Sequence, residues 1–489
     1  MKRLLSIATA ILTLVSCGQK NPVLTIDGGQ VQGVLGENKG VYVYKGIPYA
    51  AAPVRELRWK EPQPVQPWEG IRIADTFGHP GFQSTHYPGG YTTEWGYGDE
   101  PAYSEDCLYL NVYTKAPGEV SKKLPVALFI HGGGLKEGWG FEPEFDGEEW
   151  AAKDVVLVTI NYRLGMFGFM SHPDLIAENE HGSSGNYGIM DQIQALKWVQ
   201  KNIAQFGGDP DNVMIFGQSG GGRSVRTLCE SPIARGLFHK AVIMSANGFA
   251  VPPAPIPGMP AMPAMGGQTA APQPVADAAA HYKEIMDWAG LDTVEKMRAC
   301  STEEIFSVVS IYNRIHGVRG AGMFAPVNDG YVVKQDFDTA AKEGNLADIP
   351  YMIGCTLNDA GNMPAGIIEF CKDRQQKGDP AFAYQFARPL PDDGSHPEVT
   401  RQLRGAFHSS DLWFVFKSLK NCWRPWTQGD WDLSEKMITA WTNFAKYSDP
   451  QGGWKPCTAE DPGFMVFCLD ENDAEASYFG EPQSAAPRR

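Results

Sequence analysis

One serine stands in the pattern that a hydrolytic nucleophile needs. Ser219 lies in the string Gly-Gln-Ser-Gly-Gly, and the apolar run 213–216 before it predicts a short buried strand. A strand that ends in Gly-x-Ser-x-Gly and enters a helix is a nucleophile elbow. Gly217 and Gly221 leave room where a Cβ would collide, and the Gly220 N–H can bind an oxyanion. The alternative is a glycine-rich surface turn, since the chain has 54 glycines.

A longer signature accompanies this motif. Residues 104–112 read Ser-Glu-Asp-Cys-Leu-Tyr-Leu-Asn-Val, with the alternation of a half-buried strand. The string resembles the EDCLYLN signature of the type-B carboxylesterase and cholinesterase family, and the similarity continues to Asp470. The resemblance implies an α/β-hydrolase fold, in which a central, mostly parallel sheet is flanked by helices and a helical cap region. It also implies ester hydrolysis through an acyl-enzyme, without a metal or an organic cofactor.

The resemblance assigns further donors to the oxyanion site. The apolar run 125–130 predicts a central strand, and His131 with three glycines follows it. Family members place an oxyanion hole here, which implies that Gly133 and Gly134 act together with Gly220. A loop without side chains lets backbone N–H groups approach a substrate carbonyl. A flexible turn is the alternative, and His131 is predicted to be structural.

The resemblance also implies the other two catalytic groups. Asp359 aligns with the family's acid, which is usually glutamate, although a turn or helix-cap carboxylate is the alternative. His408 follows Arg-Gly-Ala-Phe, which is similar to the family's catalytic-histidine loop. The order Ser219, Asp359, His408 is the chain order of α/β-hydrolases, and each residue is expected just after a strand. The sequence departs from the family at Gln218, Gly220 and Ser409, where glutamate, alanine and glycine are usual.

The elements that must position these groups are predicted from hydrophobic periodicity. A strand, an amphipathic helix and the strand at 213–216 form a βαβ unit and hence a parallel sheet. Asp191 is expected in the first turn of that helix, and Arg163 in a structural ion pair. Residues 40–49 and 58–67 are predicted to form short strands and turns. The other predicted strands are 108–112, 125–130, 155–160, 213–216, 240–245, 350–354, 381–387 and 464–468. Helices are predicted over 189–206 and 434–446, and the pattern of 275–310 is helical throughout and should cap the sheet.

Two loops are distinctive in composition. Residues 76–103 are rich in glycine, proline and aromatic residues, and such a long ordered loop is either functional or an aromatic surface loop without a ligand. Residues 251–275 are crowded with proline, alanine and methionine. This second loop either lines the mouth of the site or is a disordered insertion, and its composition favours the insertion.

The first residues indicate export. Lys2 and Arg3 precede a short apolar run, and Leu14-Val15-Ser16-Cys17 resembles the lipobox of bacterial lipoproteins. We therefore expect a signal peptide over 1–16, lipid attachment at Cys17, and residence at the periplasmic or outer-membrane face of the cell envelope. The alternative is an ordinary secretory signal. A linker over 17–25, a single hydrolase domain over 26–470 and a polar tail over 471–489 complete the predicted organisation.

The composition of the chain limits the classes of molecule that it can bind. The formal net charge of −15 and the lack of a basic stripe argue against nucleic acid, so a small-molecule ester is the expected partner. The cysteines have no zinc-site spacing, and the family's disulfide from the position of Cys107 lacks its partner near Gly81.

The alternatives to a carboxylesterase are an amidase, an acyl esterase acting on decorated polysaccharides and a non-catalytic binding or adhesion protein. The aromatic residues of the loop and beyond His408 indicate a bulky or aromatic substrate group.

Overall fold

The computed structural model describes residues 21–86, 89–98, 100–249, 272–317 and 324–484. The predicted signal peptide with Cys17, and most of the proline-rich segment 251–275, lie outside the described residues. Among the residues that are described, no helix combines the length and apolar character needed to cross a membrane.

The bounds of the elements are as follows. The strands are β1 (Val23–Ile26), β2 (Gly29–Gln32), β3 (Val34–Leu35), β4 (Tyr42–Pro48), β5 (Ile71–Ile73), β6 (Tyr109–Thr114), β7 (Leu124–Ile130), β8 (Val156–Ile160), β9 (Gly208–Gln218), β10 (Lys240–Met244), β11 (Tyr351–Thr356), β12 (Phe382–Phe386), β13 (Phe464–Phe467) and β14 (Tyr478–Gly480). The α-helices are α1 (Gly90–Glu94), α2 (Glu148–Ala152), α3 (Gly165–Phe169), α4 (Pro173–Glu178), α5 (Tyr187–Asn202), α6 (Gly220–Glu230), α7 (Val275–Trp288), α8 (Val294–Ala299), α9 (Thr302–His316), α10 (Phe337–Lys342), α11 (Met363–Gln376), α12 (Pro397–Gln402), α13 (Leu412–Phe416) and α14 (Gln428–Tyr447). Short 3₁₀ helices cover Arg55–Leu57, Pro143–Phe145, Ile203–Phe206 and Leu419–Asn421.

One large sheet dominates the architecture, in the order β14-β13-β12-β11-β10-β9-β7-β8-β6-β4-β3, and β1, β2 and β5 form a small separate sheet. The strands from β8 to β13 pair in parallel, whereas β14 and β6, β4 and β3 at the two edges pair antiparallel. Strands β8, β10 and β11 are buried throughout, as parallel strands with two covered faces must be. The predicted α/β class and mostly parallel sheet are confirmed.

The sheet separates two apolar clusters, because successive side chains of a strand point to opposite faces. Val126, Leu128 and Ile130 of β7 belong to the cluster that includes side chains of α5 and α6. Ala127 and Phe129, which alternate with them, belong to the cluster that includes side chains of α13 and α14. Helices therefore cover both faces of the central strands and hold the strand ends in fixed positions.

Strands β7 and β9 lie side by side where the chain order reverses. The chain continues from β7 to β8 on one side, and then returns to β9 on the other side of β7. In open α/β sheets, ligands bind outside the carboxyl ends of the strands at such a reversal. The glycine run after Ile130 and the serine after Gln218 both emerge at this point.

Three predictions at the ends of the chain are wrong. The predicted linker 17–25 overlaps β1, and residues 58–67 contain no strand. Arg58 is instead buried in an ion pair with Glu105, at 2.6 Å. Part of the predicted polar tail 471–489 forms β14, which pairs with β13 and packs Phe479 against the core.

One helix prediction also needs correction. Helix α5 begins at Tyr187, so Asp191 lies beyond its first turn, and its carboxylate accepts hydrogen bonds from Arg163 at 2.7 and 2.8 Å. The ion pair predicted for Arg163 is thus confirmed. The helical pattern predicted for 275–310 is confirmed. It is divided into the three helices α7, α8 and α9, because Thr293 and Ser301 cap the starts of α8 and α9 with their side chains.

Candidate active site

Ser219 occupies a strained backbone position between β9 and α6. Its φ of 56° and ψ of −117° lie in a region that typically costs a non-glycine residue about 1–3 kcal/mol. Its amide donates to the Met244 carbonyl at 2.9 Å, which fixes the turn against the end of β10. An ideal Cβ on Gly217 would lie 2.5 Å from the carbonyl carbon of Gly221. The glycines therefore provide space, while the unusual φ belongs to the serine.

The glycines after β7 turn back toward this elbow. Gly133 and Gly134 have φ values of 83° and 62°, in the left-handed region that favours glycine. A Cβ on Gly220 would lie 2.9 Å from the Gly134 nitrogen, so the two segments are in backbone contact. Within the described chain, the Gly133 and Gly134 amides have no hydrogen-bond acceptor. The Gly220 amide lies in the first turn of α6, where a helix supplies no acceptor of its own.

The structure brings Asp359 and His408 into direct contact. The Nδ1 atom of His408 lies 2.5 Å from Oδ1 of Asp359, and the Asp359 side chain is 2% exposed while that of His408 is 30% exposed. The second carboxylate oxygen of Asp359 accepts from the Thr356 amide at 2.8 Å. The carboxylate is therefore held from both sides, and the imidazole remains accessible at the surface of the cleft.

A residue that the sequence analysis gave no role joins these two loops. The Asn358 side chain accepts from the Ala406 amide at 2.9 Å, and the Asn358 amide donates to the Ala406 carbonyl at 3.0 Å. Asp359 comes shortly after β11, as predicted, but His408 does not directly follow a strand, because α12 separates it from β12. The strand end that was expected to position His408 is absent. The hydrogen bonds between Asn358 and Ala406 instead bring the His408 segment to Asp359.

Two opposing effects act on the pKa of His408. Burial lowers the pKa of the imidazole, whereas its hydrogen bond to Asp359 and the negative charges of Asp359 and Asp411 raise it. The second effect prevails, so the pKa of His408 lies above its ordinary value of 6.5. A neutral imidazole that donates from Nδ1 presents the lone pair of Nε2 to its other side.

The Nε2 atom of His408 faces the segment that carries Ser219. It lies 3.4 Å from the side-chain nitrogen of Gln218, the residue before the serine. The Ser219 hydroxyl makes no hydrogen bond to His408 among the described contacts. Catalytic hydrogen bonds are often long or absent in unliganded enzymes and form only when substrate binds.

A second carboxyl group lies behind the histidine. Asp411 is fully buried, and one of its oxygens accepts from the Tyr384 hydroxyl at 3.0 Å while the other has no partner. Burial, and next the charge of Asp359, raise the pKa of Asp411 to about 7. The sequence places this aspartate three positions after His408, but spacing alone does not reveal its burial.

The aromatic loop 76–103 reaches the same site through α1. The Tyr91 hydroxyl donates to the His408 carbonyl at 3.0 Å, and the Tyr91 ring packs edge-on against Phe407. Tyr91 is 41% exposed, so part of this residue is accessible to solvent next to the backbone of His408. Of the two alternatives for this loop, the contacts favour a functional one.

The remaining predicted site residues have separate positions. His131 is buried and stacks on Tyr162 with ring centroids 4.5 Å apart, and burial lowers its pKa to about 3, which agrees with its predicted structural role. Cys17 lies outside the described residues. The described part of the chain contains no cluster of three or more acidic, histidine or cysteine side chains that could hold a metal ion, and its eight cysteines are all free thiols.

Comparison with known proteins identifies the family. The sequence profile of the Carboxylesterase family matches residues 20–365 and 361–482. A para-nitrobenzyl esterase of Bacillus subtilis (strain 168) is 34% identical over 412 residues, which cover 82% of this chain and 74% of that protein. A fumonisin B1 esterase of Sphingopyxis macrogoltabida is 33% identical over 410 residues, covering 81% of this chain and 68% of that protein.

Solved structures agree with the sequence relatives. A carboxylesterase of Geobacillus stearothermophilus superposes with a TM-score of 0.72 at 29% identity, covering 94% of this chain and 97% of that one. A thermophilic para-nitrobenzyl esterase superposes with a TM-score of 0.75 at 26% identity. These relatives are esterases, which favours a hydrolase over the non-catalytic alternative. The chain therefore belongs to the carboxylesterase family of the α/β-hydrolase fold and is a carboxylic ester hydrolase.

Proposed function

We propose that Ser219, His408 and Asp359 are the nucleophile, the general base and the acid of this esterase. The observation that carries the proposal is the 2.5 Å contact between His408 and Asp359, beside the strained elbow of Ser219. A carboxylate on Nδ1 fixes the imidazole tautomer and stabilises the imidazolium that forms during the reaction. Fixing the tautomer leaves Nε2 free to accept the proton of the serine hydroxyl.

The reaction proceeds in two acyl-transfer steps. The Ser219 oxygen attacks the ester carbonyl as its proton passes to Nε2 of His408, and the resulting tetrahedral intermediate expels the alcohol, which takes that proton. Water then attacks the acyl-serine through the same histidine and releases the carboxylic acid. The amides of Gly133, Gly134 and Gly220 are the proposed donors to the oxyanion, and losing one such donor typically slows a reaction about 100- to 1000-fold.

Substitution of the serine tests the nucleophile. Ser219→Ala removes the only atom that can form the acyl-enzyme, so turnover of a small para-nitrophenyl ester should fall at least roughly 1000-fold. Labelling by a serine-reactive phosphonate should disappear in the same variant. Normal turnover by Ser219→Ala protein with an unchanged melting temperature would eliminate this serine as the nucleophile.

A paired substitution tests the acid. Asp359→Ala should lose most activity, because the imidazole then lacks its orienting partner. Glu369→Ala is a matched control, since Glu369 lies on the following helix α11 in an ion pair with Lys372 at 2.8 Å. Near-normal activity of Asp359→Ala together with inactive Glu369→Ala would show that the acid is misassigned.

We also propose that the substrate carries an aromatic or otherwise bulky group. Support comes from Tyr91, which is partly exposed next to the backbone of His408, and from the relative that is a para-nitrobenzyl esterase. A panel that varies acyl length and alcohol size, with feruloyl esters, acetylated sugars and amides, tests it. Preference for acetylated sugars or amides over aromatic esters would favour the polysaccharide esterase or the amidase instead.

For location, we propose export and lipid anchoring through Cys17. The support is the lipobox-like string before this cysteine. Cys17→Ser should abolish incorporation of radiolabelled palmitate and release the enzyme from the membrane fraction. Membrane association and labelling that survive the substitution would contradict the anchor.

A further inference from the structure

Helix α6, which begins directly after Ser219, carries two arginines on one face. Arg223 and Arg226 are three residues apart, so their side chains are neighbours on the helix surface. Arg226 is fully engaged: its guanidinium donates to the Ala246 carbonyl at 2.7 Å and to Asp338 at 3.2 Å, and it lies 4.4 Å from the centre of the Phe337 ring. Arg226 therefore has a structural role.

Arg223 has no such partners. Among the described residues, no carboxylate, carbonyl or hydroxyl accepts a hydrogen bond from its guanidinium, and no carboxylate forms an ion pair with it. The side chain is partly covered and keeps some exposure to solvent. Burial, and next the charge of Arg226, lower the pKa of Arg223 to about 10, so the group remains a cation at neutral pH.

Glu230, an acidic residue on the same face, forms no ion pair with Arg223 among the described contacts. Glu230 lies two helical turns beyond Arg223, and one of its carboxyl oxygens has no hydrogen-bond partner. Burial raises the pKa of Glu230 well above its ordinary value, which favours the neutral form of this carboxyl group. A partly desolvated charge without a partner is unfavourable for folding, and such groups are concentrated at functional sites.

The direction of the side chain follows from helix geometry. Arg223 lies four residues after Ser219, which corresponds to about 6 Å along the helix axis. Side chains in a helix lean toward its N-terminus, and that end of α6 carries the serine. Arg226, one turn further on, reaches the Ala246 carbonyl just beyond β10. Arg223 therefore projects from the same face one turn nearer to the reacting serine.

We propose that Arg223 binds an ionised carboxylate of the substrate, so that the enzyme selects esters that carry a second, free carboxylate, such as monoesters of dicarboxylic acids. The proposal rests on Ser219 as the nucleophile. The guanidinium suits this ligand because its planar fork matches the two oxygens of a carboxylate. Substrate binding supplies an ion-pair partner that the described residues do not.

Two matched substrate pairs test the proposal and locate the carboxylate. The first pair is mono-para-nitrophenyl glutarate and para-nitrophenyl butyrate, in which the acyl group is charged or neutral. The second pair is para-acetoxybenzoate and phenyl acetate, in which the alcohol is charged or neutral. For each enzyme variant, the ratio of kcat/KM for the charged and the neutral ester is compared with the wild-type ratio, so that the intrinsic reactivity of each ester cancels.

Arg223→Gln should lower this ratio about 10- to 100-fold in at least one pair, the range expected for a charge-assisted hydrogen bond. Arg223→Lys should retain part of the selectivity, because it keeps the charge but not the fork. Arg314→Gln is the matched control, since Arg314 is exposed on α9, and it should leave both ratios unchanged.

The melting temperature distinguishes loss of the carboxylate site from a general folding defect. Arg223→Gln should melt at the same or a higher temperature than the wild type, because it removes an unpaired and partly buried charge. Ratios within about twofold of wild type in both pairs would overturn the carboxylate site. That result would leave the nucleophile untouched, since Ser219→Ala is expected to abolish turnover of all four esters.

Discussion

At the residue scale, the imidazole of His408 decides when the enzyme is active. It must be neutral to accept the serine proton, and Asp359 raises its pKa above 6.5 despite burial. The value of kcat/KM for a neutral ester should therefore fall as pH decreases, with a midpoint above pH 6.5. Asp359→Asn removes the charge and should move that midpoint to lower pH, together with a large loss of rate from the wrong tautomer.

The pH dependence of kcat/KM, measured for both proteins, checks this expectation. The control is Glu369→Gln, which changes an exposed carboxylate on α11 and should keep the wild-type midpoint. A midpoint that stays at the same pH in the Asp359→Asn protein would contradict the proposed electrostatic role of Asp359.

A second prediction at this scale concerns Gln218, whose side-chain nitrogen lies 3.4 Å from Nε2 of His408. Gln218→Glu places a negative charge beside the imidazole and stabilises its protonated form. The midpoint of the acid limb should move up by about one pH unit or more. Gln218→Met, which has no charge, is the control for the lost amide. Equal midpoints in the two variants would argue that this side chain does not face His408.

At the element scale, α1 is fastened to the segment that carries the histidine. Glu94 is fully buried and accepts from Arg424 at 2.6 Å and from the Trp413 indole at 3.0 Å, and the Gly90 amide donates to Gln402 at 2.7 Å. Tyr91, between these anchors, bonds to the His408 carbonyl. The aromatic loop and the histidine segment therefore form one wall of the site.

Breaking the central anchor should loosen this wall. Glu94→Ala leaves the buried Arg424 guanidinium without its carboxylate, which typically costs about 3–5 kcal/mol of unfolding free energy. Chemical denaturation measures the loss. Glu369→Ala, which removes an exposed carboxylate of α11, is the control and should cost less than about 1 kcal/mol. Equal losses in the two variants would mean that the Glu94 ion pair does not anchor α1.

At the scale of the whole molecule, several buried groups bind protons more tightly in the folded state. Burial raises the pKa of Glu144 and Glu230 well above their ordinary values and that of Asp411 to about 7, and His408 is also raised. A raised folded-state pKa means that stability is lost as pH rises through it. Burial lowers the pKa of His131 from 6.5 to about 3. This histidine therefore makes the free energy of unfolding rise with pH, but only below pH 6.5.

Between about pH 4 and pH 7 the folded chain keeps the Asp411 proton that the unfolded chain has lost, so Asp411 makes the free energy of unfolding fall as pH rises through this range. Asp411→Asn should make the decline in this range shallower, by at most about 1.4 kcal/mol per pH unit. Urea denaturation at several pH values gives the slope, with Glu369→Gln as the exposed control. A decline as steep in Asp411→Asn as in the wild type would show that Asp411 is not protonated in this range.

The sequence by itself determined the class of fold and the positions of the strands around the site, because both are encoded locally. Short continuous apolar runs bounded by turn residues favour strands covered on both faces, and the Gly-x-Ser-x-Gly pattern after such a run is itself the signature of the elbow. The same local reasoning was wrong for residues 58–67 and for the tail, where a distant ion pair and pairing with β13 decide the conformation.

Only the tertiary structure decided which groups meet. The pairing of Asn358 with Ala406 brings Asp359 to His408 across an intervening helix, and burial that depends on the whole fold sets the pKa of Asp411. That no described residue pairs with Arg223 is also a property of the packed molecule, since an arginine in a helix is ordinarily solvated or paired. Distance, burial and the absence of a partner are relations between segments far apart in the chain, and local periodicity does not contain them.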